Sequence, residues 1–143
     1  MGKRDPFYVI HGDLCLSNIL CSENNNCLKL IDPRGSFGQD GVYGDYRYDI
    51  AKLRHSFNGG YEFIINDQFE LKKNSLSFSV YNKNRLDAVK DIFESVDERF
   101  KMEEVKLIEG LIYVSMCSRH YDSLDRQIVM MATGLEILND VLL

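Results

Sequence analysis

The chain has 143 residues, the length of one domain, and is 45% hydrophobic and 27% charged with only two prolines. That balance excludes a disordered tail, a collagen-like fibre and a low-complexity linker. Seventeen basic against 22 acidic side chains leave a net charge of −5, which argues against nucleic acid as a partner. No run approaches the ~18 apolar residues of a membrane span. The apolar run at 7–10, after a basic N-terminus, is too short for a signal-peptide core. A cytoplasmic protein with no membrane partner is expected.

In chain order, 7–10 is a short β-prone run. Asn18-Ile19-Leu20-Cys21 and Cys27-Leu28-Lys29-Leu30-Ile31 flank a polar tract at 22–26, the pattern of a hairpin with a multi-residue loop. Glycines at 35, 38, 41 and 44 mark a mobile loop. Asp45 is placed as an N-cap for a helix whose face carries Tyr46, Ile50, Leu53 and Phe57 and which ends at Asn58-Gly59-Gly60. The period then changes to two, with Phe69 and Leu71, then Leu76, Phe78 and Val80, alternating with polar residues. This predicts a small β-meander turning at Asn66-Asp67 and Lys73-Asn74, with a distorted helix as the alternative at 61–66.

The last 60 residues carry three amphipathic stripes. The first is Leu86, Val89, Phe93, Val96 and Phe100. The second is Val105, Ile108, Leu111 or Ile112, and Ser115. The third is Leu124, Ile128, Met131, Leu135, Leu138 and Leu142. Each is expected to face a shared core. Cys15, Cys21 and Cys27 are six apart, which fits no common zinc spacing. Together with Cys117 they are expected to be buried free thiols. His55 and His120 have no partner at triad or ligand spacing and read as helix-face histidines. Lys72, Lys73, Lys83 and Arg85 read as a solvated face, as do Asp87, Asp91 and the acids at 94–98. No repeat or domain boundary divides 1–143, so a single domain is expected, with Gly59-Gly60 as the best hinge.

The chemistry-bearing segment is His11-Gly12-Asp13-Leu14-Cys15-Leu16-Ser17-Asn18, followed by Ile31-Asp32-Pro33-Arg34-Gly35. Asp13 and Asn18 lie five apart around a turn, and Asp32 ends the second strand of the hairpin. A hairpin of this length returns Asp32 towards Asn18 and Asp13. Carboxylates and an amide oxygen are hard donors of the kind Mg²⁺ takes alongside water and phosphate oxygens. A carboxylate left off the metal could orient and deprotonate a hydroxyl.

This segment resembles the catalytic core of the protein-kinase-like superfamily in its small-molecule branch, the aminoglycoside phosphotransferase and choline kinase type. There the catalytic loop reads H-G-D-x₄-N where protein kinases read H-R-D-x₄-N. His11, Gly12, Asp13 and Asn18 match it, Ile31-Asp32 matches the metal-binding aspartate, and Tyr48-Asp49-Ile50-Ala51 matches the branch's later helix start. The resemblance covers about residues 8–57. It implies an α+β fold, a protein-kinase-like C-terminal lobe that is mainly helical with a small β-hairpin carrying the catalytic loop. It implies an ATP- and Mg²⁺-dependent phosphotransferase acting on a small-molecule hydroxyl: a sugar, an aminoglycoside or an amino alcohol. Asp13 would be the catalytic carboxylate, Asn18 and Asp32 the metal and nucleotide-phosphate ligands, His11 a structural residue of the loop, and Asp49 the brace of its backbone.

A complete member of this branch has an N-terminal lobe with a phosphate-covering loop and a lysine paired to a glutamate. Only 12 residues precede Asp13 here, with Lys3 as their one lysine and no glycine-rich loop. The resemblance therefore implies a C-terminal lobe without its nucleotide lobe, incomplete as a stand-alone chain. Exposed apolar surface is expected where missing partners would pack, with a homodimer or a separate N-terminal-lobe partner to cover it. The competing reading is a non-catalytic kinase-like module for binding or oligomerisation. A metal-dependent hydrolase using Asp13 and Asp32 has no supporting order or spacing.

Overall fold

Helices rich in Leu, Ile, Val and Met make up the C-terminal part of the chain, and their packing sets the frame. The computed structural model describes residues 8–24, 26–36, 41–75, 77–81, 86–96 and 101–143. Helix α4 (Met102–Met116) and helix α5 (Leu124–Leu142) form an antiparallel pair, with Ser123 capping α5 through the Arg126 amide. They meet at Gly110 and Gly134. A Cβ on Gly134 would lie 2.9 Å from the Gly110 carbonyl oxygen, and one on Gly110 would lie 2.6 Å from Leu138 Cγ. Only a missing side chain lets the two backbones approach this closely.

Helix α1 (Tyr46–Phe57) packs on α4, capped as expected by Asp45, whose carboxylate accepts from the Arg47 amide at 2.9 Å. The Arg47 guanidinium pairs with the same carboxylate and holds it below the usual carboxylate range. Helix α3 (Asp87–Val96) also contacts α1, with Phe93 against Phe57 at 5.0 Å between ring centroids. Among the described residues, three two-stranded antiparallel sheets accompany this bundle. Strand β1 (Tyr8–Val9) pairs with β4 (Tyr43–Gly44), β2 (Ile19–Ser22) with β3 (Cys27–Leu30), and β5 (Phe69–Lys72) with β6 (Ser77–Val80). The core joins Ala51, Ile64, Val105, Ile112, Tyr113, Met116, Val129 and Met130. The fold class is therefore α+β, with helices forming the core and small antiparallel sheets beside them. No helix among the described residues is long and apolar enough to cross a membrane.

Several elements differ from the sequence expectation. In place of the meander, the alternative of a helix at 61–66 holds: 61–65 closes into the short helix α2 (Tyr61–Ile65), followed by one hairpin. The stripe read on α5 is not its buried face: Leu124, Met131, Leu135 and Leu142 are exposed, and Val129, Met130, Thr133 and Gly134 are buried. Apolar residues occupy most of the circumference of α5, so periodicity alone offered two adjacent faces. The glycine approach selects the one that carries Gly134. Helix α1 is not one-sided either. Lys52, Arg54, His55 and Ser56 are buried along with Ala51 and Phe57, because α4, α2, α3 and the loop at 11–18 pack against it. Ser115 is exposed, and α4 buries Ile112 rather than Leu111. Cys15 is buried as expected, but Cys21 and Cys27 are exposed on the β2–β3 hairpin, which has no covering layer. Phe7, Leu76, Lys83, Arg85, Phe100, the glycine at 38 and the acids at 97–98 lie outside the described residues.

The crowding at the helix pair gives a clear test. Replacing a helical glycine by alanine normally favours the helix by about 1 kcal/mol, but overpacking costs roughly 1–3 kcal/mol. Gly134→Ala is therefore expected to lower stability despite its better propensity, read as a lower urea midpoint at an unchanged slope.

Candidate functional site

The loop at 11–18 is hydrogen-bonded to α1 at every turn of that helix. Asp49, Lys52 and Ser56 follow one another at spacings of three and four, which puts them on one helix face. The Asp49 carboxylate accepts from the backbone N–H of His11 at 2.6 Å and of Gly12 at 2.8 Å. Lys52 Nζ pairs with Asp13 Oδ1 at 2.9 Å and lies 5.5 Å from the centroid of the Tyr61 ring. Ser56 Oγ accepts from the Leu16 N–H at 3.1 Å and donates to Glu62 Oε1 at 2.7 Å. Acid, base and hydroxyl each hold a different part of the loop.

The loop is also tied to the hairpin. His11 Nε2 lies 2.9 Å from the Ile31 carbonyl oxygen, which can only accept, so Nε2 carries the proton. Its Nδ1 then accepts from the Asp13 N–H at 3.3 Å. The Arg34 N–H donates to the His11 carbonyl at 2.8 Å. Gly12 has a φ of +76°, and a Cβ there would lie 3.0 Å from Arg34 Cβ. A side chain at position 12 would thus be strained by the backbone and blocked by Arg34.

All three residues expected to carry the chemistry come together. Asp13, Asn18 and Asp32 line one cleft of about 480 Å³, with Lys52, Tyr61 and Arg119 on its other walls. Asn18 Nδ2 donates to the Asp13 carbonyl at 2.9 Å, which leaves Oδ1 as the open end of the amide. The Ile31 N–H donates to the Asn18 carbonyl at 3.0 Å, so Asp32 follows immediately beside Asn18. Asp32 adopts φ +57°, a left-handed conformation that aspartate tolerates better than most residues. Among the described residues no three His, Cys, Asp or Glu side chains gather at metal-binding spacing. Asn18 and Asp32 offer one amide oxygen and one carboxylate. That sparse, hard set suits Mg²⁺, which keeps waters and takes phosphate oxygens for its remaining positions.

Tyr61 on the cleft wall belongs to a buried aromatic cluster. His55 is fully buried between Tyr61 and Tyr113, with ring centroids 4.4 and 4.2 Å away. Neither of its ring nitrogens has a hydrogen-bond partner among the described residues. Burial, with the nearby Lys52 charge and then His120 adding to it, holds the His55 pKa well below its usual value. Burial raises the Tyr61 hydroxyl to about 12, and the Asp13 carboxylate adds to the shift. Burial also lowers His120, which lines the cleft from the turn after α4 rather than from a helix face.

Lys52, Ser56, Tyr61, Arg119 and His120 were not singled out as site residues by sequence reasoning. The helix-face spacing of Asp49, Lys52 and Ser56 was a legible signal, masked because α1 was read through its apolar stripe alone. Tyr61, Arg119 and His120 had no such signal, since they reach the cleft only through the packing of α2 and α4. Comparison with protein-family models, curated proteins and solved structures gave no significant match.

Two expectations follow from this geometry. Asp49→Ala leaves two backbone donors without their carboxylate, and hydrogen bonds to charged groups contribute about 1.5–3 kcal/mol each. Stability is expected to drop by at least that much, with faster hydrogen exchange at the His11 and Gly12 amides. His55 binds a proton more readily in the unfolded chain than in the folded one. Its contribution is therefore complete above the unfolded pKa of about 6.5 and is lost as pH falls below it, at up to about 1.4 kcal/mol per pH unit. His55→Phe is expected to flatten the dependence of the unfolding midpoint on pH between 7 and 5.

Proposed function

We propose that this chain is the protein-kinase-like C-terminal catalytic lobe of a small-molecule kinase, of the aminoglycoside phosphotransferase and choline kinase type. In such a kinase this lobe supplies the groups that transfer the γ-phosphoryl group of ATP to an alcohol hydroxyl. The carrying observation is that Asp13, Asn18 and Asp32 line one cleft while Asp49 holds the backbone that presents Asp13.

The chain's own residues take defined parts. Asp13 accepts the proton of the acceptor hydroxyl as its oxygen bonds to the γ-phosphorus. The bond from that phosphorus to the β–γ bridging oxygen breaks, and ADP leaves. Lys52 holds the Asp13 carboxylate in position through Oδ1, which leaves the second carboxylate oxygen for the substrate. Asn18 Oδ1 and Asp32 would hold Mg²⁺, which neutralises phosphate charge when bound. Little covalent chemistry falls to the protein in such a transfer, so positioning and charge account for most of the rate.

A non-catalytic binding or oligomerisation module is the second reading. The exposed apolar residues Val9, Leu20, Leu28 and Leu30 on the small sheets favour it, since a partner lobe or a second copy could cover them.

The experiment is a titration with Mg·ATP followed by thermal shift, together with ATP turnover on a panel of hydroxyl acceptors. Mg·ATP is expected to raise the unfolding temperature, and Asp32→Ala to remove the Mg²⁺-dependent part of the rise. Asp13→Asn is expected to keep nucleotide binding and to reduce transfer by at least ~10²-fold, the usual contribution of a general base. Full turnover in Asp13→Asn would overturn its role. Nucleotide binding without transfer to any acceptor would select the second reading.

A further inference from the structure

The cleft is lined by more permanent cations than carboxylates. Its carboxylates are Asp13 and Asp32, and its permanent cations are Arg34, Lys52 and Arg119. Lys52 is committed to Asp13. Arg34 stands two residues after Asp32 and donates to the Tyr48 hydroxyl at 3.3 Å, on the hairpin side of the cleft. Arg119 comes from a different wall, the turn that follows α4. Only its backbone is engaged, donating to the Met116 carbonyl at 2.9 Å, and its guanidinium has no partner among the described residues. The nearest acid of its own turn, Asp122, is taken by Arg126 at 3.0 Å.

Arg119 shares the cleft with the reacting carboxylate. The Tyr61 hydroxyl feels the charges of both Asp13 and Arg119, and the neighbouring His120 ring meets Tyr61 edge-on at 6.1 Å. Asp13, Tyr61 and Arg119 line one cleft. A free guanidinium presents a planar fork of donors that matches the paired oxygens of phosphate or carboxylate, and charge concentrated in a cleft attracts the opposite charge.

We infer that Arg119 forms an anion subsite beside Asp13, so that the acceptor is a hydroxyl compound bearing a phosphate or carboxylate group, such as a sugar phosphate or a hydroxy acid. This rests on the kinase reading for the word acceptor, and on the cleft alone for the subsite. It narrows the acceptor class: an ammonium-bearing aminoglycoside or amino alcohol would meet an uncompensated like charge.

The test is calorimetric titration of the chain, without nucleotide or metal, using glycerol 3-phosphate, inorganic phosphate and uncharged glycerol. A parallel Mg·ATP titration gives the nucleotide arm. The two anions are expected to bind at least tenfold tighter than glycerol, Arg119→Gln to remove the difference, and Arg119→Lys to restore part of it. Arg119 is exposed, so the unfolding midpoint of each variant should stay at the wild-type value. Mg·ATP affinity should be unchanged in Arg119→Gln. The inference is overturned if the anions bind no better than glycerol, or if Arg119→Gln binds them as well as wild type. It is also overturned if that variant loses Mg·ATP to the same degree, which would assign the guanidinium to the nucleotide. Anion binding that depends on Arg119 in a chain that never binds Mg·ATP would sink the kinase reading and leave the subsite standing.

Discussion

One helix face organises this protein. Asp49, Lys52 and Ser56 rise along α1 at helical spacing, and each meets a different atom of the loop at 11–16: two amides, a carboxylate and another amide. A loop of this kind has no ladder of its own to satisfy its backbone, and unpaired buried donors are costly. By supplying two acceptors and a cation from a rigid element, α1 converts a turn into a fixed platform. Asn18 and Asp32 inherit that rigidity, because Asn18 bonds back to Asp13 and the hairpin register carries Asp32 to its side.

The polar face functions only because α1 is enclosed. Arg54 and Glu109 form a buried ion pair across α1 and α4 at 2.6 Å, and Asn58 donates to the second Glu109 oxygen at 2.9 Å. Burial pushes Glu109 up while Arg54 and Asn58 oppose the shift. Such a pair adds little net stability against an apolar substitute, but removing one partner strands a charge. Its effect is to fix how α1 is rotated on α4. The Tyr113 hydroxyl, one turn along the same face of α4, donates to the His55 carbonyl at 2.8 Å and fixes the same rotation. A different rotation would turn Asp49 and Lys52 away from the loop.

Much of the local structure was legible because it depends on near neighbours. The Asp45 cap, the end of α1 at Asn58 and the β2–β3 hairpin each follow from residues within a few positions of one another. The faces of the helices were not legible to the same degree. On α5, Leu124, Met131 and Leu135 had the right spacing for a core stripe, yet Val129 and Met130 are the buried pair. The contact is decided by Gly134 against Gly110, a fact about two helices that neither sequence window contains. His55 shows the same limit: its position suggests a helix-face histidine, and only the Tyr61 and Tyr113 rings on either side make it a core residue.

The sequence by itself determined the spacing of His11, Asp13, Asn18 and Asp32, the hairpin that returns Asp32 towards the loop, and the capped helix that carries Asp49. These are short-range consequences of turn chemistry, alternation and capping. Only the tertiary structure decided that Lys52 would pair with Asp13, that Ser56 would hold Leu16, and that Tyr61, Arg119 and His120 would wall the same cleft. Those positions depend on which face each helix turns inward. That choice is made by close approach and buried charge between segments far apart in the chain, not by the pattern within any one of them.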